Sequence, residues 1–400
     1  MLPRKETQTR KDYLYLDKHI GKLAATIAIS ENLRHPPAVK GRLHGETSPS
    51  KAGYLENKPP NHQRVKELLG LSAKANHWAN GGPVSCLLEE QIAEITQLHP
   101  ERTVVGCANG TAALNILAGL HAMKRGRALR WVVSGYSFFS CFIGPFAGSL
   151  VIDCDDEGML DLDKLSALPT GDYDGVCVTN LFGLHPDLRR YEDFCRERGK
   201  ALIVDNAQGF FCVDRSRPDC PDEIISFHHT KPWGFGEGGC VLVSEEDEAI
   251  VRSIINFGVS LPDSAAPWVF NGKMSDVAAA YIVDRLERIP NWLPQYKTQR
   301  HRLTLEVLDR TNLTLLSPDR HPFPGTGNIP FLAPRPIDPD QLENDFIALR
   351  KYYRPPTNPA LVKAHDLFAR IVNIPCHREI AALRPEAIHQ ALEVIFGDSN

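Results

Sequence analysis

The sequence predicts an α/β protein in which helices cover a mostly parallel β-sheet, followed by a smaller C-terminal α+β domain. Three observations lead to this fold class. The chain has 400 residues, which is longer than one compact core usually extends. Short runs rich in valine and isoleucine alternate with helical patterns over its middle part. Proline-rich stretches then separate short pieces towards the C-terminus.

Composition and charge disfavour several classes of function. Apolar residues make up 42% of the chain and charged residues 24%, and the formal net charge of −4 gives no basic surface for nucleic acid or an anionic membrane. There is no run of roughly 18 apolar residues and no apolar segment behind the charged N-terminus, so we expect a cytoplasmic protein without a membrane span. The ten cysteines occur singly, without metal-ligand spacing, and predict no metal site.

The chain divides into three predicted parts. Residues 1–61 mix charge, proline and glycine without periodicity, which predicts an irregular N-terminal arm. Residues 62–260 are predicted to form the large domain, with β-like runs at RWVVS, SLVID, GVCVTN, ALIVD, EIISF and CVLVS. Residues 261–400 are predicted to form a helical connection, clearest in MSDVAAAYIVDRLERI, and the small domain. Ligands of such sheets bind near the carboxyl ends of the strands.

The stretch CANGTAALNILAGL contains a helix start that can bind an anion. Asn109 can cap a helix whose first amides, at Gly110, Thr111 and Ala112, have no partner within the helix. Free N–H groups and the positive end of the helix dipole bind phosphate. A simple cap is the more common meaning of this motif, so it indicates phosphate binding only together with other residues.

Two further candidates follow predicted strands. Asp205 ends the run ALIVD, with Gln208 three residues later, and such a carboxylate either caps a turn or faces a ligand. Lys231 follows EIISFHHT and precedes GFGEGG, whose glycines let backbone approach closely, although a lysine near a sheet edge usually points to solvent. Together with the helix start, these residues are what pyridoxal 5'-phosphate (PLP) requires. A lysine of lowered pKa forms the Schiff base, and an aspartate keeps the pyridine nitrogen protonated.

At these motifs the sequence resembles the DegT/StrS-like sugar aminotransferases, which are fold-type I PLP-dependent transferases. The resemblance covers roughly residues 65–395. It is carried by eight segments in the family's order, namely NHWANGGPVSCLLEEQIAEI, NGTAALNILAGL, VVSGYSFFSCFIGPFAGSLVIDCD, LFGLHPDL, ALIVDNAQG, SFHHTKPWGFGEGG, FNGKMSDVAAAYIVDRLERI and LRKYYRPP. It implies a PLP-dependent aminotransferase that is active as a homodimer.

The resemblance also implies a role for each candidate residue. Lys231 and Asp205 are the catalytic residues, as the Schiff-base lysine and the partner of the pyridine nitrogen. The other cofactor-binding residues follow from the same match. The phosphate is contacted by Gly110, Thr111 and Ser226, the ring face by Phe138, and the phenolic oxygen by Gln208. Asn256 reaches the phosphate of the cofactor in the neighbouring subunit.

Each of the last residues also has a purely structural explanation. Phe138 could belong to the core, Ser226 could hydrogen-bond within the sheet, and Asn256 could end its helix before Gly258. His228 and His229 match structural positions of the family and are not candidates.

The resemblance implies transfer of an amino group from an amino acid, by family habit L-glutamate, to a ketone of a nucleotide-linked deoxysugar, with Arg354 in a segment that contacts substrate. Several segments depart from the family pattern and leave the substrate open: Asn180, Pro232, Lys273 and SGYSFF. Two alternatives therefore stay open. One is a PLP enzyme of secondary metabolism acting on an amino acid or a cyclitol, and the other is a non-catalytic PLP-binding regulatory protein. A dehydratase with histidine at the lysine position is disfavoured by Lys231.

Overall fold

A computed structural model describes residues 51–317 and 326–396 of the chain. Most of the predicted N-terminal arm lies outside the described residues, so the arm is represented here by residues 51–61, which we call the strap. The boundaries predicted for the three parts stay predictions.

The centre of the molecule is a seven-stranded sheet of order β1-β7-β6-β5-β4-β2-β3. Six strands run in one direction, and β7 is antiparallel to both of its neighbours. The strands are β1 (Arg102–Cys107), β2 (Trp131–Ser134), β3 (Leu150–Ile152), β4 (Gly175–Thr179), β5 (Ala201–Asp205), β6 (Asp222–Ser226) and β7 (Gly239–Ser244). The predicted α/β class with a mostly parallel sheet is confirmed. All six predicted runs form strands, and β1 is an additional strand that the sequence analysis did not predict.

Helices cover both faces of this sheet. They are α1 (His62–Ala75), α2 (Pro83–Ile95), α3 (Gly110–Arg125), α4 (Leu162–Ala167), α5 (Arg189–Glu197) and α6 (Glu248–Ile254). Successive strand residues point to opposite faces, so Ile203 packs in the same core as α3, whereas Val204 packs in the same core as α5. Burial on both faces explains why these strands are continuous apolar runs rather than alternating ones.

The C-terminal part begins with two consecutive helices, α7 (Asp276–Glu287) and α8 (Ile289–Arg310), where the sequence predicts the helical connection. A three-stranded antiparallel sheet of order β10-β9-β8 follows. Its strands and the last helices are β8 (Thr314–Leu315), β9 (Asn328–Leu332), α9 (Val362–Arg370), β10 (Ile371–Pro375) and α10 (Pro385–Phe396). In the described ranges no helix is long and apolar enough to cross a membrane.

The strap contains neither helix nor strand but lies against the rest of the protein. Ala52 forms a parallel bridge with Ile347, and Asn61 accepts a hydrogen bond from the Arg64 amide as the cap of α1. Between these two points Glu56 is 4% exposed and Lys58 is 5% exposed. Since charged side chains are seldom this buried without partners, the strap must meet complementary groups inside the protein.

Candidate functional site

A cavity of about 560 Å³ opens at the carboxyl edge of the large sheet. Four strand ends contribute to its wall: Thr179 of β4, Asp205 of β5, Ser226 of β6, and Asn109 just after β1. This is the place where open α/β sheets bind their ligands. The cavity also contains side chains of the C-terminal part and of the strap, so distant parts of the chain meet there.

One side of the cavity is formed by the first turn of α3. The Asn109 side chain caps this helix, because its Oδ1 accepts a hydrogen bond of 2.9 Å from the Ala112 amide. In the described part of the chain the Gly110 and Thr111 amides donate no hydrogen bond. They remain available to an anion at the positive end of the helix.

Ser226 lies directly against this helix start. A Cβ atom on Gly110 would be 3.0 Å from the Ser226 Cβ atom, so glycine permits the close approach of helix and strand. The Thr111 and Ser140 hydroxyl groups are 2.6 Å apart beside it. Two free amides and the nearby hydroxyls make a pocket suited to phosphate.

The reversed direction of β7 brings the helix start and the loop of Lys231 together. Gly239, the first residue of β7, is paired with Cys107 at the end of β1 and with Ser226 at the end of β6. Its backbone touches the next turn, since a Cβ atom on Gly239 would be 2.5 Å from the Asn109 carbonyl carbon. The lysine loop, which we define as residues 228–236, therefore begins and ends next to the anion pocket.

Asp205 is a buried carboxylate, 3% exposed, in the wall of the cavity. Its Oδ1 accepts a hydrogen bond of 3.0 Å from the Ala207 amide, whereas Oδ2 has the Cys141 thiol, a weak donor, at 3.7 Å. Burial raises the pKa of Asp205, and the Ala207 amide and the charge of Lys231 oppose this. A carboxylate with one oxygen lacking a strong donor is well suited to a protonated ring nitrogen.

Lys231 lies in a tight turn on the opposite side. Its amide donates to the His228 carbonyl at 2.9 Å, and its carbonyl accepts from the Gly234 amide at 3.0 Å. Within the described residues its ammonium group forms no hydrogen bond or ion pair. Burial lowers the pKa of Lys231 to about 8, although Asp205 acts to raise it. The unprotonated, nucleophilic fraction of the amine near neutral pH is therefore much larger than for an ordinary lysine, and it becomes the major form above about pH 8.

Aromatic rings form another part of the wall. Phe138 is 45% exposed and lies edge-on to Tyr353 at 5.7 Å between ring centres, while Tyr353 stacks on Phe182 at 5.5 Å. The Gln208 amide donates a hydrogen bond to the Tyr353 hydroxyl. Gln208, predicted to face a phenolic oxygen of the cofactor, thus meets a phenolic oxygen of the chain itself.

The structure brings together seven of the eight predicted site residues, namely Gly110, Thr111, Phe138, Asp205, Gln208, Ser226 and Lys231. Asn256 is the exception, because it does not line this cavity. It follows α6, and its Oδ1 accepts a hydrogen bond of 3.1 Å from Lys273. Its implied role in a neighbouring subunit stays a prediction.

Several residues around the cavity were not predicted. Tyr54 of the strap, Asn328 of β9 and Tyr352 line it, and the Tyr54 hydroxyl is buried without a hydrogen-bond partner among the described residues. His228, set aside as structural, also lines the cavity, with Nδ1 2.9 Å from the Thr230 hydroxyl. No local pattern marks the strap residues, because they contact the cavity only through the tertiary fold.

Arg354, expected in a segment that contacts substrate, does not line the cavity. It is exposed and lies 5.8 Å from the centre of the Phe368 ring. Lys351, a second cation of the segment LRKYYRPP, donates hydrogen bonds from its Nζ to the Ile337 and Ala369 carbonyls, at 2.8 and 2.6 Å.

The chain is similar to several known proteins. Residues 61–393 match the DegT/DnrJ/EryC1/StrS aminotransferase family. Protein Rv3402c of Mycobacterium tuberculosis is 26% identical over 386 residues, covering 84% of this chain and 88% of that protein. A dTDP-4-amino-4,6-dideoxy-D-glucose transaminase of Shigella dysenteriae is 22% identical over 356 residues, covering 82% and 94%.

The fold is also found among solved structures. The crystal structure of DesI in the presence of its TDP-sugar product is 22% identical with a TM-score of 0.72, covering 88% of this chain and 94% of that one. The family match spans more than half of the chain and includes every cavity residue except Tyr54. The chain belongs to the DegT/DnrJ/EryC1/StrS aminotransferase family and is a PLP-dependent aminotransferase.

Proposed function

We propose that the protein transfers an amino group from an amino acid, L-glutamate in the first instance, to a ketone of a nucleotide-linked deoxysugar. The observation that carries the transfer chemistry is the convergence of Lys231, Asp205 and the free start of α3 in one cavity. The acceptor class is supported by the names of similar proteins, one a dideoxyglucose transaminase and one solved with its TDP-sugar product.

The residues of the cavity fit PLP. We assign the phosphate to the amides of Gly110 and Thr111 and the hydroxyl of Ser226, because these groups surround the helix start. The ring nitrogen is assigned to Asp205, whose Oδ2 lacks a strong donor. When bound, PLP supplies an aldehyde that a primary amine can attack and a ring that withdraws electrons from the substrate carbon.

Phe138 and Gln208 complete the proposed cofactor contacts. Phe138 offers a partly exposed ring face beside the cavity, which suits stacking on another planar ring. Gln208 offers amide protons to a phenolic oxygen, as its hydrogen bond to Tyr353 illustrates.

Lys231 has two proposed tasks. Its unprotonated Nζ is the nucleophile that holds the cofactor covalently. With the cofactor and an amino donor bound, the same Nζ would be the base that accepts the proton from the donor's α-carbon and returns it during the transfer. The lowered pKa of Lys231, about 8, suits both tasks, because the group must give and take a proton near its working pH. When PLP is bound, Asp205 would pair its carboxylate with the protonated ring nitrogen.

A homodimer is part of the proposal. Asn256 lies away from the cavity of its own chain, next to apolar side chains that are largely exposed, Phe257 at 63% and Val259 at 58%. Near the cavity, Phe139 and Ile143 are 59% and 50% exposed. A second copy that covers these surfaces is the arrangement we propose, and it is the one in which Asn256 would have the role implied by the resemblance, a contact to the phosphate of the neighbouring subunit's cofactor.

A second candidate function is amination of an acceptor without a nucleotide, such as an amino acid derivative or a cyclitol. One observation favours it: among the described residues Lys231 is the one lysine or arginine that lines the cavity. Diphosphate groups are usually bound by such cations. A nucleotide acceptor therefore requires cations from the partner subunit or from outside the described ranges.

The first test is the visible absorption of the purified protein with PLP, before and after L-glutamate. We expect a yellow, lysine-linked cofactor that loses its colour with glutamate, and no such band in Lys231→Ala. Lys200→Ala is the matched control, because Lys200 lies near Thr170 and Tyr173, away from the cavity. Wild type without the band would refute the proposal.

The acceptor is tested with protein that has already reacted with glutamate. Nucleotide-linked keto-deoxysugars and keto-cyclitols are added separately, and return of the yellow band together with an aminated product in the mass spectrum identifies the class. If the yellow band returns with a keto-cyclitol but with none of the nucleotide-linked sugars, the second acceptor class replaces the first.

A further inference from the structure

The carbonyl groups of the lysine loop are bound by two cations from outside the loop. Lys58 of the strap donates from its Nζ to the carbonyls of His229, Lys231 and Gly234, at 2.7, 2.5 and 3.0 Å. Arg285 of α7 donates from Nε to the Pro232 carbonyl at 2.7 Å. Four of the six carbonyl groups of residues 229–234 thus accept a hydrogen bond from a cationic side chain outside the loop.

The number of donor protons and the charge of the Lys58 ammonium group suit this position. An ammonium group has three protons, and three loop carbonyls accept them. Burial and the charge of Arg285 lower the pKa of Lys58 to about 7, and Glu56 opposes the shift. A neutral amine has two protons and a lone pair that a carbonyl oxygen would repel, so the three contacts belong to the ammonium form.

Glu56 anchors the strap to the second cation. In an extended segment residues two apart point to the same side, so Glu56 and Lys58 both face the protein interior. Glu56 is 2.5 Å from the Arg285 guanidinium and accepts a hydrogen bond of 3.1 Å from the Tyr296 hydroxyl. The strap therefore holds the loop directly through Lys58 and indirectly through Arg285.

We propose that Lys58 is a positioning residue for Lys231, fixing the backbone of the lysine loop so that the Lys231 amine meets the cofactor. The inference rests on the proposed role of Lys231. It adds to the active site a residue that lies before the segment matched by the family, which begins at residue 61.

The physical reason is the state of the loop without this ammonium. Three carbonyls, one buried and two part-buried, would lose the Lys58 donor, and the loop would turn towards water to replace it. The hydrogen bond from the Gly234 amide to the Lys231 carbonyl would keep the turn itself. Its orientation would still change, and misplacing a reacting group by about 1 Å can cost roughly 10²-fold in rate.

The test compares Lys58→Met and Lys58→Arg with the control Lys200→Met. Lys200 serves as the control because its Nζ also donates to backbone carbonyls, those of Thr170 and Tyr173 at 2.6 and 2.8 Å, but in a more exposed place and far from the lysine loop. Hydrogen–deuterium exchange over residues 228–236 is measured without PLP. The rate of colour loss with L-glutamate and the pH dependence of the yellow band are measured with PLP.

In Lys58→Met we expect at least tenfold faster exchange in the lysine loop, a displaced pH dependence of the yellow band, and colour loss slowed by roughly 10²-fold. Lys58→Arg keeps the charge and the donors and should recover most of the rate. Lys200→Met should match wild type in all three, because a purely structural loss leaves the loop and the band unchanged.

Wild-type loop exchange and pH dependence in folded Lys58→Met would overturn the proposal, as would the same changes in Lys200→Met. If Lys58→Met does not fold, Lys58→Gln decides, because its neutral amide offers two protons to three carbonyls and should also loosen the loop and displace the pH dependence of the band. Wild-type values in Lys58→Gln would overturn the proposal. Failure of the proposed function is separate, because wild type and Lys231→Ala would then both lack the band.

Discussion

Gly239→Ala adds a methyl group against the start of α3, on the side of the sheet where Asn109 and Gly110 meet β7. The added Cβ would lie 2.5 Å from the Asn109 carbonyl carbon and 2.8 Å from the Gly110 nitrogen. Carbon atoms without a bond prefer about 3.5–4.0 Å, so the helix start must move by roughly 1 Å. The atoms displaced are backbone atoms, which cannot turn aside as a side chain can.

The displaced segment carries the amides that we assign to phosphate. We expect Gly239→Ala to lose about 1–3 kcal/mol of folding free energy through overpacking. A charge-assisted hydrogen bond contributes about 1.5–3 kcal/mol, so weakening one phosphate contact should raise the dissociation constant for PLP by roughly 10–100-fold.

The assay is titration of cofactor-free protein with PLP, followed by absorption, together with thermal unfolding. Gly148→Ala is the control, since no atom lies within 4 Å of a Cβ placed there and its backbone is outside the left-handed region. The control should bind PLP with the wild-type constant. A folded Gly239→Ala protein whose dissociation constant stays within about twofold of wild type would refute the assignment of phosphate to this turn.

Three further predictions concern single side chains. Asp205→Asn keeps the shape but removes the charge, so colour loss with glutamate should slow by roughly 10²–10³-fold while PLP stays bound; an unchanged rate would contradict the role of Asp205. Burial lowers the pKa of Lys231 from 10.5 to about 8. Between pH 8 and pH 10.5 the unfolded chain therefore binds more protons than the folded protein, and the stability of the cofactor-free protein rises with pH over this range. Lys231→Met should therefore be about 1–3 kcal/mol more stable near pH 7, with the difference fading by pH 10.5; equal melting temperatures near pH 7 would argue against burial of the charge. Tyr54→Phe removes a buried hydroxyl that has no partner in the described ranges, so stability should not fall, whereas KM for the acceptor should rise about 2–10-fold if the hydroxyl binds it. A lower melting temperature would show that the hydroxyl has a partner within the protein.

The large sheet could be predicted because its strands are buried on both faces and stand out as apolar runs. β1 is less evident, since RTVVGC has an arginine at one end and a glycine near the other. That arginine is buried, because the Arg102 guanidinium donates to the Pro221 and Leu242 carbonyls, both at 2.9 Å. A charged residue whose partners lie more than a hundred positions away gives no strand signal in its own neighbourhood.

In the candidate site, too, local features could be predicted from the sequence, whereas long-range contacts could not. Asp205 and Lys231 could be found because strand ends of a parallel sheet meet at one edge, and Asn109 because caps obey a local rule. Tyr353 could not be placed beside Gln208, since that contact joins the C-terminal part to the large sheet over 145 positions. Lys58 could not be found because its acceptors are backbone carbonyl groups, which every residue has, and they lie far away in the sequence.

The contacts of Lys58 also bear on the order of folding. They join residues separated by 171 to 176 positions, and contacts of such long range are expected to form late. The turn around Lys231 can close by local hydrogen bonds, but its outer carbonyls find their donor when the strap docks. A chain with its sheet formed and its strap undocked would hold the reactive amine in an unsettled orientation. Binding of the cofactor would then require the complete fold, and PLP would stabilise the contacts that form last rather than those that form first.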